Sequence, residues 1–240
     1  PSMDPRVRDI RDIAPFSALP RNERIAVASS SRFDDWRHGE RLFQARTSAD
    51  EVVILLHGTV RLFRALDVGH EATISILAPG HIVDIGGLAG GASRNIIAEA
   101  VGTARTIHLP TSAFLALGSR YPSFFEELAS ALLLRPDALY TDAAGSPTAP
   151  LAARVLDILH RVAHPASPQA DRATIQPLAH RLTQAEIARF VGANRSSVAR
   201  ARATLEEEGL VCRERGHVTG VYNGAATKTE NEQLHARHRR

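Results

Sequence analysis

The stretch from Leu182 to Arg200 constrains the fold of this chain more than any other, because it carries two helix-start signals with one glycine between them. Thr183 followed by Glu186 has the spacing of a capping box, in which the two side chains satisfy backbone N–H groups of the first turn. Ile187 and Val191 then fall on one helical face, and Gly192 can take the left-handed conformation that ends a helix. Asn194 is a strong cap for a second helix. Small Ala188 permits the two helices to cross closely, while Val198 packs underneath and sends Arg195, Ser196 and Arg200 outward. An ordinary helical hairpin does not require cap, small residue, glycine, second cap and buried valine in this register. The pattern predicts a helix-turn-helix whose second helix enters a DNA major groove. Gly209-Leu210-Val211-Cys212, Gly216-His217-Val218 and Val221-Tyr222 follow it and read as a two-stranded wing.

Charge points to the same end of the chain. The 240 residues carry a net +3, but residues 151–240 hold fourteen Arg and Lys against nine Asp and Glu, a net +5, leaving −2 for residues 1–150. The basic end is the one suited to a polyanion. With Cys212 as the single cysteine, the chain has no intramolecular disulfide, four-cysteine zinc site or cysteine-ligated iron–sulfur cluster. A reducing cytoplasm is the expected compartment. Apolar runs such as Val52–Leu56 and Leu128–Leu134 are far shorter than the roughly 18 residues that span a bilayer, so no membrane partner is expected. The charged N-terminus, Asp4 through Asp12, does not read as a signal peptide.

Upstream, Pro5 to Ala28 predicts a short helical lead-in. From Arg41 to Leu109 the chain is a series of short β-like runs: Val52–Leu56, Val60–Phe63, Thr73–Leu77, Ile96–Val101 and Arg105–Leu109. Gly58, Gly69, Gly80, Gly86, Gly87, Gly90, Gly91 and Gly102 sit between them, at a spacing that predicts an antiparallel barrel or sandwich rather than βαβ units. After Pro110 the pattern turns helical. Thr111 caps a short helix, and Tyr121-Pro122-Ser123 opens a longer one whose Phe124, Leu128, Leu132 and Leu133 form an apolar stripe with no other obvious partner. Pro136 should kink or end that helix. The small, proline-containing stretch 143–150 is the expected domain boundary, and Val155, Ile158, Leu159 and Val162 give the next helix its buried face.

Over nearly its full length the chain resembles the CRP/FNR family of bacterial transcription regulators. The resemblance is carried by Phe16-Ser17-Ala18-Leu19, Gly39-Glu40-Arg41-Leu42-Phe43, Leu55-Leu56-His57-Gly58-Thr59-Val60-Arg61-Leu62, Gly69-His70-Glu71, Pro79-Gly80, Tyr121-Pro122, the helix-turn-helix and Leu205–Val211. It implies an α+β chain, with an effector-sensing antiparallel β-roll, jelly-roll-like, at 1–110 and a dimerisation helix at 111–145. A winged helix-turn-helix at 146–224 and a basic tail at 225–240 complete the division. The function it implies is a homodimeric regulator that binds double-stranded DNA at a palindromic operator and meets RNA polymerase. The expected DNA-binding residues are Thr183, Gln184, Asn194, Arg195, Ser196, Ser197 and Arg200, with Arg200 as leading base reader and Thr183, Gln184 and Ser197 on phosphates. The pattern of the family's cyclic-AMP-binding type places a glutamate where Ser196 stands, so readout of that base pair should be relaxed or altered.

The family pattern breaks in the sensor. Members that bind cyclic nucleotides hold the ribose with a Gly-Glu pair and the cyclic phosphate with Arg followed by Ser or Thr; here Asp84-Ile85 and Arg94-Asn95 stand instead. Apolar Ile85 cannot accept from a sugar hydroxyl, and Asp84 would repel a phosphate, so cyclic AMP is not the expected effector. Gly86 and Gly87, with Gly90 and Gly91, could cradle an anion beside Arg94 and Asn95 through backbone N–H groups. The bland alternative there is a solvent-facing turn. Haem stays open on the strength of eleven histidines, although His57, His70 and His81 read as loop or surface residues. His160 and His164 read as a solvated helix face, and no metal site is expected. Histidines 235 and 238 with arginines 237, 239 and 240 make a basic tail suited to weak phosphate contact. Neither a Gly-x-Ser-x-Gly motif nor a phosphate-binding loop ending in Gly-Lys-Ser/Thr occurs, so no enzyme is expected. A haem-based gas or redox sensor, or a small-molecule receptor that no longer binds DNA, are the competing readings.

Overall fold

The structure is a computed structural model, and it describes residues 4–44, 50–66, 71–84, 96–133, 149–163, 175–214 and 217–222. The chain forms two compact units, residues 1–64 with 75–141 and residues 65–74 with 142–240.

In the first unit two helices, α1 (Pro5–Arg11) and α2 (Arg21–Ser30), precede the sheet. The strands are β1 (Arg32–Trp36), β2 (Arg41–Phe43), β3 (Glu51–Ala65), β4 (Glu71–Leu77), β5 (Ile82–Asp84) and β6 (Ile97–Pro110), of which residue 65 and residues 71–74 are counted with the second unit. They form one sheet in the order β1-β6-β3-β4, with β2 on β6 and β5 on β3. β6 runs antiparallel to β1, β2 and β3, and β5 runs antiparallel to β3. The apolar run on β3 is continuous because both faces are covered, since side chains alternate across a strand. Val52, Ile54 and Leu56 join Phe16, Ile107, Leu109 and Phe114 in one core, while Val53, Leu55 and Val60 join Leu77, Val83 and Ala98 in another.

Two strand boundaries expected at glycines do not exist. Val52–Leu56 and Val60–Phe63 belong to the single 15-residue β3, and the runs on either side of Gly102 belong to the single 14-residue β6. The register shows why. Gly58 lies opposite Ala104 and Thr59 opposite Val101, so β6 bulges by two residues where β3 passes. At φ +83° Gly58 takes a conformation that L side chains rarely adopt, and a Cβ there would overlap the Thr103 carbonyl oxygen. This glycine brings two backbones together rather than turning the chain.

After β6 come α3 (Thr111–Arg120) and α4 (Pro122–Leu133). Thr111 does not cap α3; it is the first helical residue, behind Pro110, and its Oγ1 donates to the Asp50 carbonyl at 2.8 Å. Pro122 opens α4 as expected, since its missing N–H is no loss in a first turn. The first half of the α4 stripe, Phe124 and Leu128, is not free. Phe124 is wholly buried and Leu128 nearly so, in the same core as Phe16 and Phe114, whose ring centroids lie 5.9 Å and 5.2 Å from that of Phe124. A helical pattern alone cannot say which neighbour covers it, and here α3 and the helical lead-in do. The side chains of Leu132 and Leu133, and Pro136, lie outside the described residues.

In the second unit α5 (Leu151–Val162) starts directly after Pro150 and buries Val155, Ile158, Leu159 and Val162. It packs on α6 (Gln184–Val191) and α7 (Arg195–Glu207). The wing is larger than the expected pair of strands: β8 (Val211–Glu214) and β9 (His217–Tyr222) are joined by β7 (Ile175–Leu182) in the order β7-β9-β8. The sequence pattern conceals β7 because Pro177 interrupts it. The proline lies opposite Gly220 on an outer strand, where a missing N–H is tolerated.

Candidate nucleic-acid interface

The helix pair is built by its caps. Thr183 Oγ1 accepts from the Glu186 N–H at 3.2 Å, and Glu186 Oε2 accepts from the Thr183 N–H at 2.8 Å, which completes the box at the start of α6. Gly192 closes α6 at φ 63°, ψ 43°, and a Cβ there would meet nothing within 4 Å. The glycine is therefore required by backbone conformation and not by space. The Arg154 guanidinium, reaching from α5, donates to the Val191 carbonyl at that same end, where a cation suits the helix dipole.

Asn194 caps α7, its Oδ1 accepting from the Ser197 N–H at 2.8 Å and from the Ser196 hydroxyl at 2.9 Å. Gln184 Nε2 donates to the Arg195 carbonyl at 2.6 Å and so ties the first turn of α6 to the first turn of α7. Below, Ile187, Phe190, Val191, Val198 and Leu205 are buried. Above, Ser196, Arg200, Ala203 and Glu207 are exposed and recur at helical spacing, so they form one solvent-facing stripe along α7. Arg195 is exposed beside it, and Ser197 is half-buried.

All seven expected DNA-binding residues thus fall on the first turns of α6 and α7 or, for Arg200, one turn further. Three of them also hold the fold. Thr183 and Asn194 form caps, and the Gln184 amide is engaged by the Arg195 carbonyl. By its chemistry Ser196 could donate or accept; its proton is directed at Asn194, which leaves its oxygen as an acceptor on the exposed face.

One cluster carries little signal in the sequence. Arg202 Nε lies 3.1 Å from Glu206 Oε1, and Arg213 Nε of β8 lies 3.7 Å from Glu206 Oε2. The i,i+4 spacing of Arg202 and Glu206 is visible there. Arg213 is not signalled at all, because its contact depends on β8 folding back against α7.

Of the expected effector residues, Gly86, Gly87, Arg94 and Asn95 lie outside the described residues, as do Ile85, His70, His164 and the basic tail. Asp84 ends β5 with only 7% of its surface exposed. His57 is an exposed residue of β3, with Nε2 3.6 Å from Asp9 of α1. His81 is occupied in the Pro79-Gly80 turn, its Nδ1 accepting from the Ala78 N–H at 3.1 Å. His160 corrects an expectation: it is half-buried on α5, and that burial lowers its pKa against the opposing pull of Asp157. Among the described residues no helix is long and apolar enough to cross a membrane.

Two family models match the chain: the cyclic nucleotide-binding domain over residues 34–121 and the Crp-like helix-turn-helix domain over residues 151–221. No curated protein sequence matches significantly. Among solved structures, FixK2 from Bradyrhizobium japonicum is similar at a TM-score of 0.61 and 17% identity, covering 86% of this chain and 96% of its own. The c-di-GMP responsive global regulator CLP from Xanthomonas campestris aligns at 0.59 and 18% identity, over 82% of this chain and 95% of its own. A CRP/FNR-family transcriptional regulator from Thermus thermophilus aligns at 0.56 and 20%, over 85% and 97%. These likenesses show the fold, an antiparallel sheet domain followed by helices and a C-terminal helix-turn-helix. With a sensor-type and a Crp-type model matched in that order on one chain, the protein belongs to the CRP/FNR family of transcription regulators.

Proposed function

We propose that this chain binds double-stranded DNA sequence-specifically as a homodimer, each α7 entering the major groove of one half-site of a palindromic operator. The observation that carries the reading is the exposed stripe of α7, with Ser196 and Arg200 above a sealed floor of Val198 and Leu205. Arg200 reads a guanine, to which a guanidinium donates two hydrogen bonds at O6 and N7. Ser196, with its proton on the cap, accepts from an amino group such as N4 of cytosine or N6 of adenine. Arg195 and the half-buried Ser197 meet phosphates, which fix register without reading sequence.

The experiment is a titration of the preferred duplex and its base-pair variants with Arg200→Ala and Arg195→Ala. Arg200→Ala should lose preference at one guanine per half-site, a discrimination of about 1–3 kcal/mol. Arg195→Ala should weaken all duplexes alike and lessen the salt dependence. Uniform weakening by Arg200→Ala would reassign the base reader.

Dimerisation, contact with RNA polymerase and a regulatory role without catalysis are supported by family membership. For the sensor, the support is negative and specific. Asp84 and Ile85 stand where cyclic-nucleotide-binding members hold the ribose, so cyclic AMP is not the effector of this chain.

A further inference from the structure

We propose that Arg213 is a phosphate contact of the wing and that Glu206 is the residue that positions it against the flank of the recognition helix. The inference rests on the reading of α7 as the helix that enters the groove, and adds to it a second element and a dependence between two side chains.

Glu206 lies on α7 just off the exposed stripe that contains Ala203 and Glu207, so its carboxylate marks the flank of the helix and not its reading face. Two guanidinium groups converge on it. Arg202, one turn earlier, has only 11% of its side chain exposed, whereas Arg213 arrives from β8 with 45% exposed. Arg202 is therefore committed to the protein. Arg213 keeps a solvent face, with the Glu206 carboxylate 3.7 Å from its Nε on the other side.

A helix of about 10–12 Å diameter fills a major groove about 12 Å wide, so phosphate backbones run along its flanks. A group anchored on the flank of α7 then lies at a groove wall. The C-terminal end of α7 carries three consecutive carboxylates, Glu206, Glu207 and Glu208, so a phosphate that approaches this flank meets attraction only from a neighbouring cation. Arg202 and Arg213 turn the Glu206 cluster into a net single positive charge. A guanidinium whose Nε faces a carboxylate oxygen 3.7 Å away can still present its terminal N–H groups to a phosphate oxygen.

The test is fluorescence anisotropy on two duplexes, the preferred operator and an unrelated sequence of equal length, across a salt series. The proteins are full-length wild type, Arg213→Ala, Glu206→Gln and the double variant, with melting temperatures recorded for each. Arg213→Ala should weaken both duplexes by the same factor and reduce the salt slope by about 0.9 per protomer, as loss of one phosphate contact does. Glu206→Gln should weaken binding several-fold when Arg213 is present and have no further effect when it is absent. An unchanged salt slope in Arg213→Ala overturns the phosphate assignment. Tighter binding by Glu206→Gln, or an equal loss in both backgrounds, overturns the positioning role. Wild type that binds neither duplex contradicts the DNA-binding reading itself, an outcome separate from these.

Discussion

Asn194 shows how one side chain can serve fold and function together. Its Oδ1 holds the Ser197 N–H and the Ser196 proton, so it both starts α7 and decides that Ser196 faces outward as an acceptor. Asn194→Ala should cost about 1 kcal/mol of stability, read from chemical denaturation, and should also relax base preference opposite Ser196. Asn194→Asp keeps the acceptor and should retain both. Glu51 gives a pH dependence whose sign is determined. Burial by itself raises its carboxyl, but the hydrogen bond and charge of Arg32, at 2.8 Å, and the neighbouring His108 outweigh that and hold it below the ordinary value. A depressed carboxyl contributes stability above its unfolded pKa, and the contribution is lost as pH falls through the folded one. Thermal melts of Glu51→Gln should therefore fall below wild type near neutrality and converge on it in acid; a constant gap would contradict the assignment. Single side chains are legible in the sequence wherever their chemistry is local. Both caps and the left-handed glycine follow from neighbours within four residues, whereas Arg32–Glu51 and Glu206–Arg213 depend on strand pairing or packing that no local window contains.

The elements are legible in type more often than in extent. Strand character over β3 and β6 is evident from the apolar runs, but Gly58 and Gly102 suggest strand ends because glycine in a short window signals a turn. Only the register shows that Gly58 lets β3 pass the Thr103 carbonyl inside a continuous ladder. Gly58→Ala should therefore destabilise the first unit by more than about 1 kcal/mol, through both its positive φ and the overlap, whereas a turn glycine facing solvent would cost less. Denaturant unfolding of that variant distinguishes the two. Of the expected α4 stripe, Phe124 and Leu128 are covered by the chain's own core, which a helical pattern alone does not reveal. With Phe124 enclosed by Phe16, Phe114 and Phe125, Phe124→Ala should lower stability by about 3–5 kcal/mol, as a cavity in a packed core does. Light scattering at matched folded fraction should show its oligomeric state unchanged.

For the molecule as a unit of regulation, the order of a β-rich domain, helices and a basic helix-turn-helix end is readable because each part has its own periodicity and charge. What the sensor binds is not, since effector chemistry lies in a few side chains brought together by the roll. The departures at Asp84 and Ile85 still make a prediction: calorimetry with cyclic AMP should show no micromolar binding, and binding abolished by Arg94→Ala would contradict it. That two copies of α7 read two half-sites can be put to a selection of random duplex DNA by the purified full-length chain, with the enriched sequences aligned. The expected outcome is an approximate palindrome whose half-sites lie about one helical turn, roughly 10–10.5 base pairs, apart, each with a guanine whose selection disappears in Arg200→Ala. Enrichment of a single unpaired site, or of no sequence at all, would contradict it.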